Sequence, residues 1–240
     1  MQFTLRATGG TDMTIYFVRH GDPDYKNDCL TEIGRAQAEA AAKRVCTLGI
    51  EHIFSSTNGR ALETAKFTAE PLGMDITHCD FMREIAWRSK DDEPIPENGH
   101  PWRLSTLFAS EGRTLTEPKW RDTEPFCRSV IVSNAEKVQD GFDALMSTLG
   151  FTREGEYYRV SAPEVYKKIA IFSHGGSSSV VLAHLLNIPF PQLAGFLRPG
   201  FTSITAVTLN GNVGDLVYPI LNFANDTLHL KDLNAKNRYD

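Results

Sequence analysis

Two histidines occupy the same local setting, in which a short apolar run is followed by histidine and glycine. The motifs are Arg19-His20-Gly21 and Ser173-His174-Gly175-Gly176, and a further arginine, Arg60, follows a third apolar run. Guanidinium groups pair with phosphate oxygens in a bidentate way and stay charged at any relevant pH. Because histidine can also act as a nucleophile that forms a covalent intermediate, these residue types predict an anion site suited to phosphoryl transfer.

Phosphoryl transfer to an imidazole also needs an acid that protonates the leaving oxygen. Glu84, just past the third predicted strand, is the best-placed candidate, and the alternatives are Asp22, Asp24 and Asp80. Two of these aspartates could also form a metal site with the two histidines, but the flanking arginines would repel a cation. We therefore expect no metal and no cofactor.

The elements that must position these residues alternate between short β-prone runs and helical patterns, which is typical of a sheet sandwiched between helices. Ligands of such sheets bind beyond the carboxyl ends of the strands, so parallel strands would bring the two histidines and both arginines together. A glycine after each histidine would let a ligand approach the backbone closely. The first half contains predicted strands at Met13–Val18, His52–Ser55 and Met74–His78, a helix from Glu32 to Leu48 that Thr31 caps and Gly49 ends, and a helix after Asn58 that Pro71 or Gly73 ends.

Apolar periodicity predicts one buried face and the later elements. The predicted buried stripe of the first helix is Ile33, Ala36, Ala40, Ala41, Val45 and Leu48. The later elements are a helix over Phe126–Leu149, a hairpin around Arg153–Glu156, a strand at Ile169–Phe172, a helix up to Asn187, and strands at Ser203–Leu209 and Leu216–Phe223 that close the sheet. The stretch 225–240 is polar and is expected to form a frayed tail.

The segment 88–125 interrupts this alternation, because its first part is rich in turn-forming residues while the rest carries large apolar side chains. We predict an irregular cap insert that folds back onto the rest of the chain. Loops on a rigid scaffold commonly determine specificity, so the insert is expected to set the substrate. Arg88, His100, Trp102 and Arg103 belong either to its surface or to the lining of the substrate pocket.

The composition is that of an ordinary globular protein with a mild acidic excess. The 240 residues include 25 Lys and Arg against 30 Asp and Glu, which gives a formal net charge of −5. We expect a single domain over 1–240, and no nucleic-acid binding, which would need a basic surplus. No window approaches the roughly 20 apolar residues of a membrane span, and the N-terminus lacks a signal-peptide core, so we expect a cytoplasmic protein without membrane contact. Four widely spaced cysteines predict free thiols.

The candidate motifs also follow one another in a recognisable order. Arg19-His20-Gly21, Leu30-Thr31 with Gly34 and Gln37-Ala38, Ser56 with Arg60 and Thr64, Glu84, and Ser173-His174-Gly175-Gly176 together resemble the histidine phosphatase superfamily, in the branch that contains cofactor-dependent phosphoglycerate mutases and their phosphatase relatives. The resemblance implies a three-layer α/β/α sandwich with a mostly parallel central sheet and no metal.

The resemblance also implies roles for individual residues. His20 would be the phosphorylated nucleophile, and Glu84 would act first as general acid and then as base towards water. Arg19, Arg60 and His174 would bind the phosphate, with His174 counted among the catalytic residues as well.

Three departures from the commoner family pattern bear on the reaction. Pro23 stands where many members have threonine, and Asn27 falls one residue later than the usual asparagine. The Leu-Asn-Glu-Arg-x-Tyr-Gly segment of the glycolytic mutases is absent around Glu84, which favours hydrolysis over mutase action. The sequence therefore predicts a metal-independent phosphatase that hydrolyses a small phosphorylated organic substrate through a phosphohistidine on His20. The alternatives are a phosphoglycerate-mutase-like phosphotransferase and a non-catalytic domain that binds or docks a phosphorylated ligand.

Overall fold

A six-stranded sheet lies at the centre of the structure, a computed structural model that describes residues 10–231 and residue 233. In chain order the strands are β1 (Thr11–Arg19), β2 (Pro23–Asp24), β3 (Cys29–Leu30), β4 (His52–Ser55), β5 (Ile76–His78), β6 (Phe151–Glu154), β7 (Tyr157–Val160), β8 (Lys168–Ser173), β9 (Ile204–Gly211), β10 (Leu216–Val217) and β11 (Ile220–Asp226). The central sheet has the order β11-β9-β1-β8-β4-β5. In it β1, β8, β4 and β5 run parallel, and β9 is antiparallel to both of its neighbours.

Both faces of this sheet are covered by helices, which in chain order are α1 (Glu32–Val45), α2 (Gly59–Leu72), α3 (Pro101–Ser110), α4 (Ile131–Thr148), α5 (Gly175–Leu185) and α6 (Phe190–Phe196). Alternate residues of a strand point to opposite faces of a sheet. Ile15 and Phe17 of β1 therefore join the buried cluster formed with α4, α5 and α6, whereas Tyr16 and Val18 join the cluster formed with α1 and α2. The predicted three-layer α/β/α fold with a mostly parallel sheet is confirmed.

The register of the parallel strands brings three carboxyl ends to one edge of the sheet. Arg19 at the end of β1 lies opposite Ser173 at the end of β8, and Ser55 at the end of β4 lies opposite Phe172. The residues that directly follow these strands therefore lie side by side, as the sequence predicts.

Helix α1 begins and ends close to the predicted residues, but its buried face differs from the predicted one. The Thr31 hydroxyl accepts a hydrogen bond from Gly34 N at 3.0 Å, and Gly49 has a left-handed φ of 74° after a short 3₁₀ turn. Ile33 is 50% exposed, whereas Gln37 is buried and its Oε1 accepts a hydrogen bond from the backbone of the loop after β1. The helix holds that loop through a polar contact, which hydrophobic spacing alone does not reveal. The buried residues of α1 are Gly34, Gln37, Ala38, Ala41, Ala42 and Val45.

The insert over 88–125 is more regular than predicted, because it contains α3 and short 3₁₀ turns at Pro96–Gly99 and Trp120–Asp122. Pro101 occupies the first position of α3, where its fixed φ suits a helix and its missing N–H costs no hydrogen bond. Leu104 and Phe108 are buried, and α3 packs on α6. The turn-rich composition of 91–101 concealed this helix in the sequence.

The second half of the chain differs from the prediction at three points. The expected strand Leu216–Phe223 is divided between β10, which pairs with β7 in a small separate sheet, and β11, which pairs with β9. The predicted tail over 225–240 begins inside β11 and continues into a 3₁₀ turn at Leu228–Leu230, while 232 and 234–240 lie outside the described residues, as do 1–9. The long helix α4 starts at Ile131 rather than at Phe126.

In the part of the chain that the structure describes, no single helix is long and apolar enough to cross a membrane. Helices α5 and α6 reach the required length and apolar character only when taken together, and they are bent by 119° relative to each other.

Gly34 offers a test of the packing between α1 and the loop after β1. A Cβ atom at this position would lie 2.1 Å from the carbonyl oxygen of Asp22. Replacing a helical glycine by alanine normally gains about 1 kcal/mol, but for Gly34→Ala we expect a loss of roughly 1–3 kcal/mol because the two backbones must separate. Urea unfolding measures the change, and an unchanged or higher midpoint would contradict the close packing.

Candidate active site

His20 follows β1 and is 1% exposed. Its Nδ1 lies 2.7 Å from the carbonyl oxygen of Gly21. A carbonyl oxygen can only accept a hydrogen bond, so this contact places the imidazole hydrogen on Nδ1 and leaves a lone pair on Nε2. Nε2 in turn accepts a hydrogen bond of 3.3 Å from Nε of Arg60. The accepting nitrogen of His20 therefore faces a fixed positive charge.

The surroundings keep the His20 ring neutral. Burial lowers the pKa of His20 well below its usual value, and the positive charges of Arg19 and Arg60 lower it further, against the opposing hydrogen bond to Gly21. The pKa of His174 is also held well below its usual value, first by burial and then by the neighbouring His20 and the two arginines. Neutral imidazoles keep a lone pair that can attack an electrophile or accept a hydrogen bond.

Arg60 is positioned by an acidic residue that sequence reasoning missed. Its Nη1 donates a hydrogen bond of 2.5 Å to Oδ1 of Asp28, and the other carboxylate oxygen accepts one of 2.7 Å from Gly59 N at the start of α2. Although burial opposes it, the hydrogen bond from Gly59 and those from Asn58 and Arg60 hold the pKa of Asp28 below its usual value. Asp28 lies in a turn with a φ of 50°, and no spacing in the sequence links it to Arg60.

Arg19 is held by the segment between α6 and β9. Its Nη1 donates a hydrogen bond of 2.6 Å to the carbonyl oxygen of Pro199, and its guanidinium lies 4.2 Å from the centre of the Phe201 ring. Arg19 is 8% exposed, yet it lines the cavity described below. The side chains at 199 and 201 carry no sequence signal for this role, so this support was also missed.

His174 is the N-cap residue of α5 and lies beside His20, with the two ring centres 5.1 Å apart. Its Nε2 is 2.8 Å from the hydroxyl oxygen of Ser56, which follows β4. Its Nδ1 is buried and has no hydrogen-bond partner among the residues that the structure describes. The predicted convergence of Arg19, His20, Arg60 and His174 is thus what the structure shows.

Glu84 reaches the same place from the segment after β5. Its Oε1 accepts hydrogen bonds from the backbone N–H groups of Ile85, Gly176 and Ser177 at 3.1–3.2 Å. Burial raises the pKa of the Glu84 carboxyl above its usual value, against the opposing charge of Arg19 and these N–H groups. A Cβ at Gly176 would lie 2.4 Å from Oε1, so only glycine allows this close approach.

The other candidate acids have partners away from this cluster. Asp80 accepts a hydrogen bond of 2.7 Å from the Thr57 hydroxyl, and Asp24 accepts one of 2.6 Å from Asn27. Asp22 is buried and accepts a hydrogen bond of 2.8 Å from the Thr31 hydroxyl. Within the described ranges, no group of three or more His, Cys, Asp and Glu side chains is arranged to hold a metal ion.

The prediction that the glycine after each histidine makes room for a ligand is wrong at Gly21. A Cβ at Gly21 would lie 2.5 Å from the carbonyl oxygen of Gly34, so the space is filled by the first turn of α1. Gly175, by contrast, lines the cavity next to Arg19. The first glycine therefore serves chain packing and the second serves access.

A cavity of about 790 Å³ opens beside these groups. His100, Trp102 and Arg103 of the insert line it, whereas Arg88 is exposed and lies 3.7 Å from Asp92. The lining residues are Arg19, Tyr25, Glu84, Trp87, Glu97, His100, Trp102, Arg103, Thr106, Leu107, Ser110, Gly175, Arg198 and Pro199. The site thus combines a positively charged base, the carboxyl groups of Glu84 and Glu97, and walls that come largely from the insert.

The protonation state of the two histidines can be measured directly. We expect His20 to show the Nδ1–H tautomer and both His20 and His174 to stay neutral at pH 6, because burial and the arginines disfavour the charged ring. Nitrogen–proton correlation NMR of the imidazoles reports both properties. The unfolded chain would take up protons that the native rings exclude, so these residues make stability fall as the pH drops below about 6.5. Protonated rings at pH 6 would contradict this description.

The family comparison covers the first part of the chain. Residues 15–114 match the family model of the histidine phosphatase superfamily (branch 1). This range contains Arg19, His20, Arg60 and Glu84, while His174 lies beyond it.

Curated relatives include proteins named probable phosphoglycerate mutase from Yersinia pestis (strain Pestoides F) and Yersinia pseudotuberculosis (strain YPIII). Each is 33% identical over 118 residues, which cover 44% of this chain and 54% of the relative. The chain therefore spans about half the length of the curated relatives it matches.

Solved structures share the fold at lower identity. A mycobacterial glucosyl-3-phosphoglycerate phosphatase has a TM-score of 0.58 and 21% identity, with 89% of this chain and 98% of that chain covered. A phosphoserine phosphatase from Entamoeba histolytica has a TM-score of 0.58 and 22% identity, with 91% and 99% covered. The resemblance inferred from the motifs is thereby confirmed at the level that these matches reach: residues 15–114 match the model of branch 1 of the histidine phosphatase superfamily, and the chain shares the fold of the two phosphatases.

Proposed function

We propose that this chain is a metal-independent phosphatase that hydrolyses a small phosphorylated organic substrate through a phosphohistidine on His20. The observation that carries the proposal is the orientation of the His20 ring, in which Nδ1 is bound to Gly21 and the lone pair of Nε2 points at Arg60. A neutral imidazole beside two guanidinium groups can attack a phosphorus atom whose oxygens those groups hold. The family match and the fold support a phosphatase or a mutase-like activity.

In the first step, Arg19 and Arg60 bind the phosphate dianion and neutralise its equatorial oxygens, the task that a metal ion performs in many phosphoryl-transfer enzymes. Nε2 of His20 forms a bond to phosphorus while the bond from phosphorus to the leaving oxygen breaks. Protonated Glu84 gives its proton to that oxygen, so the product leaves as a neutral alcohol and Glu84 becomes a carboxylate. The raised pKa of Glu84 favours the protonated form that this step requires.

In the second step, a water molecule attacks the phosphohistidine. The Glu84 carboxylate takes a proton from the water as its oxygen bonds to phosphorus. The nitrogen–phosphorus bond breaks, and its electron pair returns to Nε2 of His20. Inorganic phosphate leaves, and both side chains regain their initial protonation states.

His174 supports the proposal through its unpartnered nitrogen. The Ser56 hydroxyl oxygen accepts a hydrogen bond of 3.2 Å from Asn58 N, so the hydroxyl hydrogen is free to go to Nε2 of His174. The remaining hydrogen of the ring then lies on Nδ1, which has no hydrogen-bond partner in the described part of the protein. A buried N–H group without a partner costs free energy, and a phosphate oxygen would satisfy it.

A mutase-like phosphotransferase is the second candidate, because the curated relatives are named probable phosphoglycerate mutases. Its first step would be the same, but the phosphohistidine would then pass its phosphoryl group to an organic acceptor. The third alternative, a phospho-ligand docking domain, would use the same cluster of side chains for binding alone.

The nature of the product and the role of His20 are tested together. We expect purified protein to release inorganic phosphate in equal amount to the alcohol, with a rate that is unchanged when a chelator is added. His20→Ala should lower kcat by a factor on the order of 10³ or more, because it removes the nucleophile. His78→Ala, at an exposed histidine at the end of β5, is the matched control and should keep the wild-type rate.

Three results would contradict the proposal. Near-normal turnover by His20→Ala would exclude the phosphohistidine. Transfer of phosphate to an organic acceptor with little free phosphate would indicate the mutase. Phosphate binding without turnover of any ester in a broad panel would indicate the docking domain.

The proton transfer assigned to Glu84 predicts a dependence on the leaving group. Glu84→Gln should slow hydrolysis of alkyl phosphates roughly 10²–10⁴-fold, the usual contribution of a general acid. Formation of the phosphoenzyme from p-nitrophenyl phosphate should be affected much less, since that leaving group departs without a proton. Rapid-quench measurement of the phosphoenzyme distinguishes the two steps, and an equal loss for both esters would contradict the role as acid.

A further inference from the structure

The cavity beside the histidine pair has aromatic walls that the proposed chemistry does not require. Trp87 and Trp102 meet edge to face with their ring centres 6.2 Å apart and an interplanar angle of 89°. The His100 ring lies 4.9 Å from Trp87 and 5.4 Å from Trp102, measured between centres. Tyr25, from the loop after β1, also lines the cavity and is 60% exposed. Flat apolar surfaces therefore come from three separate segments of the chain.

These surfaces begin next to the phosphate-binding groups. Cη2 of Trp102 lies 3.6 Å from the position that a Cβ of Gly175 would take, and Gly175 opens the helix that follows His174. The Tyr25 ring centre lies 5.4 Å from Cζ of Arg60. A substrate whose phosphate rests between the arginines therefore has aromatic surface within reach of its leaving group.

The volume of the cavity and the arginines that line it also favour a large, planar ligand. A volume of about 790 Å³ falls within the roughly 300–1,000 Å³ typical of pockets for drug-sized ligands, far more than a phosphate with a three-carbon unit would fill. Arg103 and Arg198, which are both exposed, also line the cavity. Planar guanidinium groups stack on aromatic rings, so these arginines suit the same kind of ligand as the indoles do.

We propose that the substrate of this site is a phosphomonoester whose leaving group carries a planar aromatic ring system, which stacks against Trp102 and its neighbours Trp87 and Tyr25. The inference rests on the proposed phosphatase activity and adds the substrate class to it. Trp102 is the specificity residue, because its ring extends from the insert to the phosphate-binding cluster.

Matched pairs of esters test the substrate class. Adenosine 5′-monophosphate and ribose 5-phosphate carry the same ester on the same carbon and differ by the base, and benzyl and cyclohexylmethyl phosphate differ by the flatness of the ring. We expect kcat/KM to be at least about fivefold higher for the aromatic member, which is the lower end of what base stacking contributes. Trp102→Leu should bring both ratios close to one.

Tyr157→Leu provides the control, because Tyr157 is exposed on the β6–β7 hairpin, meets Tyr218 edge to face and does not line the cavity. It should keep both ratios at their wild-type values. Trp87→Leu serves as a second variant if Trp102→Leu fails to fold. Ratios near one for wild-type protein, or higher kcat/KM for 3-phosphoglycerate than for both aromatic esters, would overturn the inference while leaving the phosphatase proposal intact.

Binding separates failure of this inference from failure of the proposed function. In His20→Ala, which cannot form the phosphoenzyme, tryptophan fluorescence reports ligands at Trp87 and Trp102, since the remaining Trp120 is buried. We expect adenosine 5′-monophosphate to quench the fluorescence and to bind at least about fivefold more tightly than ribose 5-phosphate. Equal affinities would overturn the inference even if no ester were turned over, whereas a preference without turnover would overturn only the phosphatase proposal.

Discussion

The contact between Nδ1 of His20 and the carbonyl oxygen of Gly21 is the constraint on which the site depends, because it determines which ring nitrogen carries the lone pair. The orientation of that carbonyl depends on the loop after β1. Gly21 N donates to the Thr64 hydroxyl of α2, and the next backbone N–H, that of Asp22, donates to Gln37 of α1. Two helices on one face of the sheet thus hold a loop at its edge, and the loop sets the tautomer of a buried ring. The peptide unit between Gly21 and Asp22 therefore takes part both in the packing of the loop and in the orientation of the His20 ring.

Opposite pKa shifts distinguish His20 from Glu84, the two groups that the proposed mechanism makes react. Burial lowers the pKa of His20 and raises the pKa of Glu84, so each is biased towards its uncharged form while the neighbouring arginines remain charged. An uncharged base and an uncharged acid are what the first step of a phosphoryl transfer to imidazole needs. Asp28 offsets part of the positive charge of the two arginines through its ion pair with Arg60. The positive field that remains favours a dianionic ligand.

The sequence was sufficient for the four parallel strands of the central sheet and for the convergence of Arg19, His20, Arg60 and His174, because strand ends and turn residues are local signals. It was insufficient where contacts between distant parts of the chain determine the structure. The buried face of α1 follows from a polar contact of Gln37, and the partner of Arg60 is Asp28, whose spacing follows no motif. Helix α3 was hidden because its turn-rich approach resembles an irregular loop, although its own apolar residues pack on α6. Burial and pKa shifts depend on all neighbours at once, so no single segment encodes them.

The segment that joins α6 to β9 contacts both the insert and Arg19. Trp102 of the insert donates its indole N–H to the carbonyl of Leu197 at 3.4 Å, and Arg19 donates to the carbonyl of Pro199, two residues further on. The insert and Arg19 are therefore held by backbone carbonyl groups that lie two residues apart in one segment. Grafting the insert of a relative onto this chain would therefore also require a matching segment at 197–199, because the carbonyl groups of this segment hold both Trp102 and Arg19.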